Sequence, residues 1–141
     1  MRTKTLLVGL MAVTLTFTAS SYTSVQDDEP TPLQQAMGTI RGGQKALGRG
    51  HRNPVANKAA LLRAATAIEE GALKAFSLAP PAPEGENVNA WRIGYQRQML
   101  QLLDAALECE AATYAGDAEA LAAAYGRLGQ AKKGGHNNFK Q

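Results

Sequence analysis

Cysteine is nearly absent from this 141-residue chain. The single Cys109 excludes an intramolecular disulfide and any cysteine-rich metal site. Aromatic residues make up only 6%, too few for a β-sandwich packed with rings. No segment sustains the period-two alternation of β-branched residues that strands need. Also missing are a Ser-His-Asp arrangement, a phosphate loop and a His-Glu-x-x-His motif, so no enzyme is expected. The length allows one domain, or one domain plus a leader.

A long apolar run is missing as well. Arg2 and Lys4 form a positive start, Leu6 to Phe17 is apolar but interrupted by Thr, and Ala19, Ser20 and Ser21 follow. A membrane anchor needs about 20 apolar residues. The pattern predicts a secretory signal peptide over residues 1–21, cleaved after Ser20 or Ser21, and an exported, periplasmic protein. Contact with the membrane is then expected only through the uncleaved leader. No Cys follows the apolar run to carry a lipid.

The leader changes the charge. The full chain carries a net +3. Removing Arg2 and Lys4 from its fifteen Lys and Arg leaves thirteen, against twelve Asp and Glu, for a net +1. No long basic run remains, and phosphate binding scales with clustered basic contacts, so nucleic acid is not an expected partner. Residues 22–30 are polar, with Asp27, Asp28 and Glu29 in sequence, and read as a flexible N-terminal segment.

Four helical segments fill residues 31–141. The first runs from Thr31 to Leu47, with Thr31 as cap, Pro32 in the first turn, and a seam of Leu33, Met37, Ile40, Gln44 and Leu47. Gly48, Gly50, Asn53 and Pro54 break it. The second runs from Pro54 to Ser77, capped by Asn53, with Leu61, Ala65, Ile68, Ala72 and Phe76 as its stripe. Lys74 is expected to pair with Glu70 at i,i+4. A proline-rich loop, Leu78 to Val88, separates the halves. The third runs from Asn89 to Tyr114, with Trp91, Tyr95, Met99, Leu102, Leu103 and Ala106 along its seam. Gly116-Asp117 is a tight break, and Asp117 caps a fourth helix reaching Phe139. Comparable lengths and mostly short links predict an all-α, antiparallel up-down-up-down four-helix bundle.

That topology brings two donors together. Met37 lies about six residues into the first helix and His136 about six from the chain end. At about 1.5 Å per residue both sit roughly 8–9 Å below the same rim. A thioether and an imidazole facing each other suit a haem iron, and a six-coordinate iron leaves no open site, which favours electron transfer. Taken singly, each has a plainer reading: Met37 as core filler and His136 as a solvated residue favourable to the helix dipole. Glu69-Glu70 and Glu108-x-Glu110 lack the Glu-x-x-His partners of a di-iron bundle and read as solvated faces. Cys109 reads as a buried thiol, or as the site of an intermolecular disulfide in an oxidising compartment. His51, beside Arg52 in the loop, reads as a surface residue.

Four stretches carry a resemblance to a known family. They are Leu33-x-x-x-Met37-x-x-Ile40; Trp91-Arg92-Ile93-Gly94-Tyr95; Asp104-Ala105-Ala106-Leu107 with the later Ala115-Gly116; and His136-Asn137-Asn138-Phe139-Lys140. In order and spacing these resemble cytochrome b562, a four-helix haem protein of the periplasm, over nearly all of residues 31–141. The resemblance implies one haem b, bound non-covalently, with Met37 and His136 as axial ligands, and single-electron exchange with redox partner proteins. On geometry, Ile40, Leu47, Ile68 and Tyr95 are expected against the haem face. Lys132 either meets a haem propionate or is solvated. A monomer or a weak dimer is expected. The related cytochromes c′ carry Cys-x-x-Cys-His where this chain has Lys132-Lys133-Gly134-Gly135-His136, which excludes covalent haem attachment. Gly134-Gly135 weakens the last helix by about 1 kcal/mol per Gly relative to Ala. The two glycines admit a porphyrin edge or mark a lineage without haem; Gly42-Gly43 poses a parallel choice between close haem approach and fraying. Two other readings stay open: a haem-free binding module and a five-coordinate, gas-binding haem protein.

Overall fold

The structure, a computed structural model, describes residues 29–139. The expected signal peptide, residues 1–21, and most of the following segment lie outside the described residues. Four helices make the fold: α1 (Pro32–Gly50), α2 (Lys58–Phe76), α3 (Val88–Ala115) and α4 (Ala118–Phe139). No strand occurs among the described residues. None of the four helices is long and apolar enough to cross a membrane.

Each start and stop has a local cause. Thr31 caps α1 in a reciprocal box with Gln34, and Pro32 follows it in the first turn. Asn87 Oδ1 accepts from Ala90 N at 3.0 Å to open α3. Gly116, at φ 71°, ends α3 in the left-handed conformation that glycine adopts without strain. Asp117 Oδ1 then accepts from the backbone N–H groups of Glu119 and Ala120, as the expected cap.

Two boundaries differ from expectation. Helix α1 runs one turn further, to Gly50. Helix α2 begins at Lys58, not at Pro54. Asn53 does cap, but only a single turn: its Oδ1 accepts from Ala56 N, and its carbonyl accepts from Asn57 N. At Asn57 the backbone (φ −107°, ψ 11°) leaves the helical region, and the helix restarts beyond it.

Antiparallel packing of successive helices follows from the contacts. Lys58, at the start of α2, donates to the carbonyl of Tyr114 at the end of α3. At the other end of α2, the Ala75 carbonyl accepts from Tyr95 Oη, near the start of α3. Gln98 of α3 donates to the Ala131 carbonyl of α4. One core joins all four helices, and Leu47, Leu61, Ile68, Leu121 and Leu128 are fully buried in it. Burying each such side chain contributes about 1.5–3 kcal/mol. The result is an all-α four-helix bundle.

The expected Glu70–Lys74 pair is not made, and both residues are exposed. Two long exposed side chains lose about as much rotamer freedom as the pair gains. The one ion pair among the described residues joins Arg127 of α4 to Glu108 of α3.

The glycine pair in α1 serves neither of the roles considered for it. A Cβ at Gly43 would lie 2.6 Å from the Ala64 carbonyl oxygen and 2.7 Å from Ile68 Cγ1, whereas one at Gly42 would meet nothing. Gly43 therefore lets α2 approach. Gly71 of α2 does the same from the other side, facing Ile40 and Ala36.

Candidate functional site

Helices α1 and α4 touch sparsely. At one end they are held by Tyr125, whose ring stacks on His51 with centroids 4.8 Å apart and planes 19° apart. His51, read from sequence as a surface residue, is half-buried in that contact. Away from this contact the two helices part. A solvent-open cleft of about 730 Å³ lies between the start of α1 and the end of α4. Cofactor sites commonly span about 300–1,000 Å³.

Met37 and His136 both line this cleft. Met37 is half-buried on the α1 wall and His136 is exposed on the α4 wall. His136 makes no hydrogen bond or ion pair to another described residue. The end of α4 is positioned by Phe139, which packs edge-on against Trp91 (4.9 Å) and Tyr95 (5.6 Å). Gly94 lies against that ring: a Cβ there would sit in ordinary contact, 3.4 Å from Phe139 Cζ. Trp91 is itself tied to the proline-rich loop by Nε1 donating to the Pro80 carbonyl at 3.0 Å. The Trp-Arg-Ile-Gly-Tyr stretch thus docks the turn that carries His136.

The floor comes from α3. Tyr95, Met99 and Leu102 are buried there and line the cleft. Tyr95 Oη donates a hydrogen bond to the Ala75 carbonyl, and burial pushes its pKa up to about 12. It meets the cleft as an aromatic face, and its hydroxyl is committed elsewhere. Ile40 lies on the α1 wall, and Lys132 stands exposed on the α4 wall.

Leu47 and Ile68 are not at the cleft. Both are fully buried, Leu47 deeper along α1 and Ile68 on α2, which contributes nothing to the cleft lining. The seam of α1 continues past the cleft into the core, and periodicity alone does not mark where one becomes the other. Sequence reasoning also missed Arg41, Gln44, Gln98 and Met99 as lining residues. Arg41 follows Met37 by four residues, so its place on that face was readable. Gln44, a polar residue on an apolar seam, was the overlooked signal of an opening.

Gly134 and Gly135 admit a side chain of this same protein. A Cβ on either would come within 3.2–3.3 Å of Gln98, whose Nε2 donates to the Ala131 carbonyl at 2.7 Å. The glycines let α4 settle over that amide.

Elsewhere, Cys109 is fully buried on α3; burial above all, with the Glu108 charge, pushes its thiol up to about 11. That environment leaves an inert thiol, not one available for an intermolecular bond. Glu69 departs from the solvated face expected of it. Its Oε1 is buried without a hydrogen-bond partner, and its pKa is raised by burial and by the charges of Glu110 and Glu70. No group of three or more His, Cys, Asp or Glu gathers as a metal site among the described residues.

The fold and site define a four-helix bundle with a lateral cleft that carries a thioether on its α1 wall and an imidazole on its α4 wall. No family model, no curated protein and no solved structure matches the chain.

Proposed function

We propose that this chain is a small exported b-type cytochrome that holds one haem non-covalently in the α1–α4 cleft and passes single electrons between redox partner proteins in the periplasm. The observation that carries this reading is that Met37 and His136 line the same cleft, from opposite walls. The donor set fits the group: an imidazole without a protein partner, a soft thioether, and an apolar floor of Met99 and Leu102. When bound, haem supplies the one-electron couple.

The remaining work falls to the protein. His136 offers a ring nitrogen to iron, and Met37 offers sulfur, which favours the reduced state. Phe139, docked on Trp91 and Tyr95, holds the turn that carries the imidazole. Arg41 and Lys132 bring positive charge to the cleft, suited to two carboxylates. Met99, Leu102 and Ile40 exclude water from the buried side. Covalent attachment is not part of the reading, because Cys109 lies in the α3 core and not in the cleft.

The test is an absorbance scan of the purified protein before and after reduction, followed by acid-acetone extraction. A red protein with sharp reduced bands and extractable haem supports the reading. A colourless, folded protein that refuses added haemin refutes it and leaves a haem-free binding module. Carbon monoxide separates the five-coordinate alternative. Fast binding to the ferrous wild type, unchanged by Met37→Ala, would mean that only His136 binds iron. Slow binding made fast by Met37→Ala supports both ligands.

A further inference from the structure

The outer face of α3 carries a feature that neither the core nor the cleft uses. Ile93, Leu100, Leu107 and Tyr114 are 46–59% exposed and recur every seven residues. A heptad drifts only about 20° around a straight helix, so the four stay on one face, along about 31 Å. The other large apolar side chains left exposed are Val55, Leu73 and Val88, and none of them repeats. Helix α3 is therefore apolar on two opposite faces; on the outer one Lys58 Nζ of α2 sits 5.4 Å over the Tyr114 ring, and Ile93, Leu100 and Leu107 are left exposed. An apolar stripe on an otherwise polar surface marks an interaction site.

Charge along the stripe says what covers it. Arg92 and Arg97 lie before Leu100, while Asp104, Glu108 and Glu110 lie after it. Glu108 is already paired with Arg127, which leaves Asp104 and Glu110 as uncompensated acids on this half. A parallel copy of the helix would set like charges together. An antiparallel copy sets the basic half against the acidic half. An anionic membrane would be repelled by the same acidic half.

We propose that the α3 outer face is a homodimer interface in which two copies of this chain pair antiparallel about a two-fold axis at Leu100. In that register Leu100 meets its own copy, Ile93 meets Leu107 of the second copy, and Arg97 faces Asp104, each heterologous contact occurring twice. Such self-complementarity is what a two-fold interface requires. The face points away from the α1–α4 cleft, so the inference stands whether or not the cleft holds haem.

The experiment measures mass by light scattering and sedimentation, and cross-linking by oxidation of Leu100→Cys. The native thiol is silent in this assay because Cys109 is fully buried. Val55→Cys, exposed but off the stripe, is the control. Expected results are a dimer mass for the wild type and rapid cross-linking at position 100 but not at 55. Leu100→Glu should give a monomer with unchanged helical circular dichroism. Arg97→Glu and Asp104→Arg should each raise the dissociation constant by about tenfold, a typical interface effect, and the double charge reversal should restore affinity. A wild-type monomer at high concentration overturns the proposal. So does position 100 cross-linking no faster than position 55, or wild-type protein that pellets with phosphatidylserine vesicles while remaining monomeric without them.

Discussion

Helix α1 has two neighbours and treats them differently. Toward α2 it presents Ala36, Ile40 and Gly43, and α2 answers with Ala64, Ile68 and Gly71, so closely that no Cβ fits at either glycine. Toward α4 it makes close contact at one end only, through Tyr125, and opens into the cleft at the other. Tyr125 stacks on His51, and its hydroxyl occupies the space that a Cβ at Gly48 would need. Small residues draw α1 onto α2 along its length, whereas on the α4 side close contact is confined to the Tyr125 end. The cleft is the geometric consequence of this one-sided packing of a single helix. The residues suited to chemistry collect on the side where packing is relaxed.

The largest effects should separate the two sides directly. Leu47→Ala empties a fully buried site on α1 and should cost about 2–5 kcal/mol in urea unfolding. Met37→Ala, ten positions earlier on the same helix, removes a half-buried side chain that faces an opening. Its expected cost, measured without added haemin, is below about 1.5 kcal/mol. Equal costs would mean that the cleft is closed in solution.

Adjacent glycines provide the next test. Gly43→Ala drives a methyl into the α2 backbone and should destabilise by about 1–3 kcal/mol, even after its gain in helix propensity. Gly42→Ala meets nothing and should stabilise by up to about 1 kcal/mol. Opposite signs at neighbouring positions, read from thermal melts, would confirm that α1 leans on α2. The same sign at both would break the comparison.

Two buried groups of α3 also set an alkaline limit. Tyr95 ionises at pH about 10 in an unfolded chain and at about 12 in the fold, because burial opposes the phenolate. Cys109 moves in the same direction, from 9 to about 11. Between these values the unfolded state has released protons that the native state still holds. Their stabilising contribution is complete below pH 9 and is lost as pH rises toward 12. Tyr95→Phe should remove the upper part of that slope. At neutral pH it should cost about 1 kcal/mol for the lost hydrogen bond to Ala75. Unfolding free energies across this pH range would show both.

The two sides were not equally legible in the sequence. Helix number, the Thr31 and Asp117 caps and the Gly116 stop follow from local chemistry, and they stand where the residues put them. The Asn53 signal was real but produced a lone turn, because whether a turn propagates depends on the backbone at Asn57. At the candidate site, depth along an antiparallel bundle was enough to bring Met37 and His136 into one cleft. Periodicity did not distinguish Ile40, which lines the cleft, from Leu47, which lies in the core: both are apolar residues on one seam. The roles of Gly43 and Gly134 were hidden for a related reason. What a glycine makes room for, whether Ile68 or Gln98, belongs to another helix.

One group on the packed side strains against its surroundings. Glu69 of α2 has a buried oxygen with no partner, facing the charges of Glu110 and Glu70, and all three influences raise its pKa above 4.5. For such a group the unfolded carboxyl ionises first as pH rises. The stability it lends is therefore present below about pH 4.5 and lost as pH climbs through the raised folded value. Glu69→Gln keeps the shape and removes the charge. It should raise stability at pH 7 by a few tenths to about 1 kcal/mol, and leave it nearly unchanged at pH 4. This is the smallest expected effect, and it bears on the two-sided picture. The packed half is held by apolar and glycine contacts, so an acid with a buried, unpartnered oxygen should only detract. A loss of stability in Glu69→Gln at pH 7 would mean that the carboxylate has a cationic or water partner, and that the α2–α3 seam is wetter than its packing indicates.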